Sequence, residues 1–307
     1  MWLNIKHTYN KKLHRHMRKM NMIAALFLSF AIFSCGDDDP APAPTGGGGG
    51  GGNVGGIDGT YATNEGYTLV GSYGPGKDST GFGPHGVIRL YAKKSNDKVT
   101  FFLAGNAERN GNTLAMYIGA SGVTGGITAG SQLPAADDPE GCFDVSRPTL
   151  DFECDMAVRI GSSGDNGGSF YMSAVNYAAP VATKYIDVYL GNHPADGTTK
   201  TVTQVIKQVG GTNQPAVTTF NNIRTAYFHT SNLNSNTALD KGWEIEIPRS
   251  AVGNTGTLKI LVCYFSGSGD FWSANTIPAK PGNGANNLAG NPNLVVSNVT
   301  MHINFTL

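Results

Sequence analysis

From Ile57 onward, apolar runs of four to eight residues alternate with clusters of Gly, Asn, Asp and Ser. Short apolar runs punctuated in this way are the pattern of an all-β sandwich or barrel. They predict strands at Tyr67–Tyr73, Val87–Ala92, Lys98–Ala104, Leu114–Ile118, Met156–Ile160, Ser169–Val175, Lys184–Tyr189, Thr201–Gln208, Arg224–His229, Lys241–Ile247, Leu258–Phe265 and Val295–Phe305. In Trp243-Glu-Ile-Glu-Ile247 the apolar side chains share one face, and Glu244 and Glu246 fall on the other, which the alternation assigns to solvent. Lys259–Phe265 is nearly continuous in apolar character, as for a central strand covered on both faces. No helical period of ten residues or more occurs after residue 57. Pro248–Val252 predicts a single helical turn with proline at its first position, and Gly253 supplies the left-handed backbone that reverses the chain. The expected fold is all-β: one large antiparallel, jelly-roll-like β-sandwich over residues 57–307.

The N-terminal pattern is different. Lys6, Lys11, Lys12, Arg15, Arg18 and Lys19 precede an apolar segment, Ile23–Cys35, with no acid among them. A positive region, a short apolar core and a small residue before the cut form a secretory signal. The apolar run from Met22 to Cys35 is shorter than the roughly 20 residues that cross a bilayer, and charges follow it at once. Asp37, Asp38 and Asp39 come next, then a Pro/Ala run and seven glycines ending at Gly52, a composition that builds a tether and no core. Ile32-Phe-Ser-Cys35 resembles the lipobox of bacterial lipoproteins. That resemblance implies residues 1–34 as signal peptide, acylation (palmitate among the chains) of Cys35, and residues 35–56 as an acidic, Pro- and Gly-rich tether. It also implies a place in the bacterial cell envelope, on the outer membrane and exposed at the surface, with the membrane bound through lipid on Cys35.

Charge supports lipid as the anchor. The whole chain carries 22 basic and 22 acidic residues. With six of the bases in the signal, the mature part has a net charge of about −6, too acidic for a nucleic-acid footprint. Cys142 and Cys154 are 12 apart in an irregular stretch, and an oxidising compartment predicts that they pair. Cys263 lies in an apolar run and reads as a buried thiol. Asp137-Asp-Pro-Glu140 and Ser163-Gly-Asp165-Asn group oxygen ligands that calcium would take, although Asx turns explain both stretches as well. No cofactor is otherwise expected.

Two stretches carry a second resemblance. Val99–Ile118 is a strand, an Asn/Gly turn and a strand. Gly242–Gly253 is a strand ending in Glu-Ile-Pro and a Ser/Gly turn, and a further strand and Ser266–Pro278 follow it. Together they resemble the β-sandwich domains grouped with family 9 carbohydrate-binding modules and DOMON-like domains. The resemblance implies a sandwich over the whole of 57–307 and a ligand platform of exposed aromatics. Phe271 and Trp272, flanked by Asp270 and Asn275, are the candidate platform, with Tyr73 and Phe82 next; the other reading of Phe271 and Trp272 is that they plug the open end of the sandwich. Haem, held by a Met/His pair in some DOMON-like domains, would draw on Met116, Met156, Met172 and His229. No nucleophile elbow and no suitably spaced carboxylate pair is present, so an enzyme is not expected. The expected function is a lipid-anchored extracytoplasmic binding protein for carbohydrate or another extracellular polymer. The alternative is a structural envelope lipoprotein with a protein partner on the cell surface and no small ligand.

Overall fold

The structure is a computed structural model; it describes residues 56–73, 85–136, 142–162, 169–180, 185–203, 208–209, 212–213, 218–231, 239–281 and 287–307. The signal, Cys35, the tether, Phe82, Asp137–Glu140 and Ser163–Asp165 lie outside these residues.

Sixteen strands are present among the described residues. In chain order they are β1 (Thr68–Ser72), β2 (Gly86–Lys94), β3 (Lys98–Asn106), β4 (Thr113–Ala120), β5 (Met156–Ser162), β6 (Ser169–Asn176), β7 (Asp187–Pro194) and β8 (Lys200–Thr201). They continue with β9 (Gln208–Val209), β10 (Thr212–Asn213), β11 (Arg224–Tyr227), β12 (Gly242–Pro248), β13 (Thr257–Phe265), β14 (Phe271–Ile277), β15 (Leu288–Ala289) and β16 (Ile303–Thr306). Two antiparallel sheets pack face to face. The smaller has the order β1-β2-β3-β12-β11-β8, and the larger has β15-β14-β13-β4-β5-β6-β7. One edge of β13 is shared: β16 pairs along Thr257–Ile260 and β14 along Val262–Phe265.

The period-2 pattern sets the inner faces. Val99, Phe101 and Leu103 of β3 and Trp243, Ile245 and Ile247 of β12 meet Leu114, Met116 and Ile118 of β4 and Leu258, Ile260, Val262 and Tyr264 of β13 in one buried cluster. As its apolar continuity implies, β13 is covered on both faces: Leu261, Cys263 and Phe265 enter a second cluster on the far side of the larger sheet. The Trp243 indole N–H donates to Thr225 Oγ1 at 2.9 Å, so the largest inner side chain is satisfied where it is buried. Pro248 closes β12, Arg249–Val252 form a single 3₁₀ turn, and Gly253 follows at φ 89°. That sign of φ is why glycine stands there.

Four expectations change. Phe271–Ile277, absent from the expected strands, is the strand β14. Of the expected Val295–Phe305 strand only Ile303–Phe305 pairs in a sheet, within β16; Met301, and Leu294 just before that stretch, are spent as apolar cover. Of Thr201–Gln208, the ends alone are paired among the described residues.

The fourth is Glu244, which is buried, not solvated. Residues 57–67 lie across the outer face of the smaller sheet, where Tyr61 and Tyr67 pack on Tyr91 and Phe102. Under this strap Glu244 accepts the backbone N–H of Asp58 (2.8 Å) and Gly59 (3.1 Å) and the Tyr67 hydroxyl (2.5 Å). Burial holds its carboxyl above the usual range, and these three donors work against that shift.

His193 in β7 is 1% exposed and neither ring nitrogen has a hydrogen-bond partner. Burial, and secondarily Lys200, lowers its pKa to about 4. A base lowered in the folded state contributes no penalty above its unfolded pKa of about 6.5, and stability is lost as pH falls from there towards 4. Urea unfolding at pH 7 and pH 4.5 should therefore show a loss on acidification that is smaller by about 2 kcal/mol in His193→Leu. An equal loss in both proteins would show that His193 is not the group responsible.

Candidate ligand-binding groove

The outer face of the larger sheet is only partly covered. Residues 121–136 and 142–155, between β4 and β5, lie over β4 and β13, and the segment before β16 lies beside them. Leu133, Phe143, Leu150, Phe152, Leu294 and Met301 fill the space between this cover and the sheet. Bridges at Ile127↔Cys154, Gln132↔Thr149 and Thr149↔Asn293 stitch it together. Asp151 then ties in the chain end, accepting the Met301 N–H at 2.7 Å and contacting His302 Nδ1 at 3.1 Å.

Trp272 belongs to this covered region. It is 0% exposed, stacks between Tyr117 (5.7 Å) and Phe265 (5.5 Å), and donates its indole N–H to Ser146 Oγ at 2.8 Å. It cannot meet a ligand, and of the two readings the sequence left open for Trp272, the packed one holds. Asn275 is also buried. Its amide takes both backbone groups of Val87, accepting the N–H at 2.5 Å and donating to the carbonyl at 2.7 Å. Because β14 is in the larger sheet and the β2 bulge beside Val87 is in the smaller, this side chain joins the two sheets. Asp270 is exposed and shapes its own turn, accepting from Ser266 Oγ (2.7 Å) and Ser268 Oγ (2.5 Å). Those bonds, that from Ser268 first, hold its pKa below the ordinary value. Tyr73 lies in the core.

Phe271 is the aromatic of the expected platform that, among the described residues, borders open space. It is 38% exposed and lines a groove of about 890 Å³ where the cover stops. The floor is the bare outer face of β5, β6 and β7, with Arg159, Gly161, Tyr171, Ser173 and Tyr189; the rim is the β3–β4 turn with Asn110 and Asn112 and the β13–β14 turn with Ser266 and Ser268. Tyr189 is 52% exposed, and its ring lies 6.1 Å from that of Tyr171 at an interplanar angle of 41°. Partial burial, and then Tyr171, raises the Tyr189 pKa, so its phenol is neutral at physiological pH. Arg159 donates from Nε to Ser173 Oγ at 2.7 Å and lies 6.0 Å over the Phe143 ring, which holds it against the wall of the cover. The rim is braced from behind: Glu108 accepts from Asn110 and Asn112, and Ser162 Oγ accepts the Gly111 N–H.

Tyr171, Tyr189 and Arg159 sit within strands and Asn110 and Asn112 in a polar turn, so the sequence does not mark them together as a binding surface. One signal is present: in Asp187-Val-Tyr-Leu190 a tyrosine occupies the polar phase of a strand whose other phase is core.

The expected disulfide is not formed: Cys142, Cys154 and Cys263 are separate buried thiols. Cys142 opens a 3₁₀ turn, Cys142–Asp144, within the cover, whereas Cys154 is held in the bridge to Ile127 with its thiol towards the Met156 carbonyl. Burial pushes the Cys142 thiol up to about 12, far from a reactive thiolate. Met116, Met156 and Met172 are buried in the main core, and His229 lies apart from them, lining a separate pocket with His85, Glu108 and Arg109. Among the described residues no group of three His, Cys, Asp or Glu side chains could hold a metal, and no helix is long and apolar enough to cross a membrane.

No family model, no curated protein and no solved structure matches the chain.

Replacing Trp272 by alanine should cost about 3–5 kcal/mol of stability in urea unfolding, the range for emptying a large aromatic site, while leaving the groove lining in place. A loss under 1 kcal/mol would mean that Trp272 is not packed as described.

Proposed function

We propose that this chain is a lipid-anchored extracytoplasmic binding protein and that the groove bounded by Tyr171, Tyr189 and Phe271 takes carbohydrate. The carrying observation is the exposed Tyr189 beside the half-buried Tyr171 on the floor of an 890 Å³ groove, which Phe271, amides, hydroxyls and one guanidinium otherwise line. Apolar ring faces suit the C–H faces of a sugar, and Asn110, Asn112, Ser173 and Arg159 offer hydrogen bonds to its hydroxyls. Among the described residues, those lining the groove are amides, hydroxyls, aromatic rings and one guanidinium, groups suited to holding a sugar. The likeness to family 9 carbohydrate-binding modules and DOMON-like domains rests on the sequence motifs. It supports the same reading through a different surface from the one those motifs suggested.

Anchoring rests on the apolar segment ending at Cys35 and on the tether after it. Two or more acyl chains on one cysteine would retain the domain at a membrane, and a glycine-rich tether would let it reach polymer away from the surface.

Retention on immobilised polysaccharides and a glycan array tests the ligand. Tyr189→Ala should weaken binding by about five- to thirtyfold, as expected when a stacking ring worth about 1–2 kcal/mol is removed. Failure of the unmodified protein to bind any glycan, with a stable protein neighbour recovered by cross-linking in cells, would favour the structural envelope role instead. Labelling cells with radioactive palmitate should mark the unmodified protein and leave Cys35→Ser unlabelled; label on both would remove Cys35 as the acylation site.

A further inference from the structure

At the far ends of β5, β6 and β12, a second pocket of about 470 Å³ opens between the sheets. Asp155 stands in its wall, immediately before β5. One carboxylate oxygen, Oδ2, accepts the backbone N–H of Ala120 at 2.6 Å. The other, Oδ1, has no hydrogen-bond partner although the residue is only 2% exposed. Asn221, which precedes β11 in the other sheet, lines the same pocket, and its side-chain oxygen is also buried without a partner. Buried acceptors are nearly always satisfied, and an orphan calls for a donor, a water or an ion. Two orphans from opposite sheets share this pocket, and among the described residues none that lines it is Lys, Arg or His.

Gly126 packs closely on the carboxylate: a Cβ there would sit 2.3 Å from Asp155 Oδ1 and 2.7 Å from the Cys154 carbonyl oxygen, so only glycine fits at that position. Thr124, Thr219 and Ser250 add hydroxyl oxygens to the lining.

We propose that this pocket holds one hard divalent cation of the calcium type, bound through Asp155 Oδ1 and Asn221 Oδ1, with hydroxyls and water completing its shell. An all-oxygen donor set selects hard cations. A roomy pocket with a single carboxylate suits calcium, which accepts six to eight oxygens in flexible geometry, better than magnesium, which demands a tight octahedron. The cation would tie the start of β5 in the larger sheet to the approach to β11 in the smaller one. This site is separate from the groove and does not depend on what the groove binds.

The purified protein, first stripped with chelator, is dialysed against radioactive calcium and melted with CaCl2 or MgCl2. One calcium should bind per chain with Kd of about 0.1–1 mM, the range of extracellular calcium modules. About 10 mM CaCl2 should raise Tm by about 3–8 °C, and MgCl2 should do so far less. Asp155→Asn should weaken calcium binding by at least about tenfold while leaving the circular dichroism spectrum and the unliganded Tm no lower. Asn221→Ala should weaken binding too, and it decides the matter alone if Asp155→Asn fails to fold. Absence of bound calcium at about 10 mM, equal stabilisation by magnesium, or unchanged affinity in the variant that folds would overturn the proposal.

Discussion

The larger sheet is apolar on both faces, and much of the rest of the molecule answers that constraint. A strand such as β13, with Leu258, Ile260 and Val262 on one side and Leu261, Cys263 and Phe265 on the other, cannot leave either side in water. The smaller sheet covers one side. For the other, the chain forms no paired strand of its own over residues 121–136 and 142–155 and again before β16, laying Phe143, Phe152, Leu294 and Met301 over the sheet as a third layer. The groove lies where that layer ends. Over β5, β6 and β7 the outer positions change to Arg159, Ser173, Tyr171 and Tyr189, which tolerate solvent and present rings and hydrogen-bonding groups to it.

Buried polar groups lock these layers in register. Glu244 fastens the strap that follows the tether to the smaller sheet, and Asn275 fastens β14 to the β2 bulge. Each removes a charge or an amide from water, which is unfavourable unless every lone pair and proton finds a partner. Glu244 finds three donors, and Asn275 meets both backbone groups of Val87. Asp155 and Asn221 depart from this rule, and so does His193; the first two share a pocket and the last does not. That difference separates a site that invites a ligand from a packing cost borne by the core.

Function follows from where rigidity ends. Tyr171 and Tyr189 are carried on adjacent strands, so their spacing is set by the sheet ladder. The rim of Asn110, Asn112 and Ser266–Phe271 is made of two turns braced by Glu108, Ser162 and Asp270. A rigid floor with a polar rim recognises a ligand at small cost in ordering.

Alternation in the sequence was enough to place most strands and the inner faces of β3, β12 and β13, because period-2 patterning is local and survives in any tertiary setting. It could not tell which outer faces remain wet. Glu244 reads as solvated until residues 57–67, some 180 positions away in the chain, are laid across it. Trp272 stays open between a ligand platform and a plug of the sandwich until Ser146 and Phe265 are seen to close over it, leaving its neighbour Phe271 at the groove. The all-β class is a property of consecutive residues and was legible as such; the proposed acylation segment and tether are readings of the same local kind. The groove, the clasps and the orphaned oxygens are juxtapositions of distant segments, and only the packing of one layer on another brought them together.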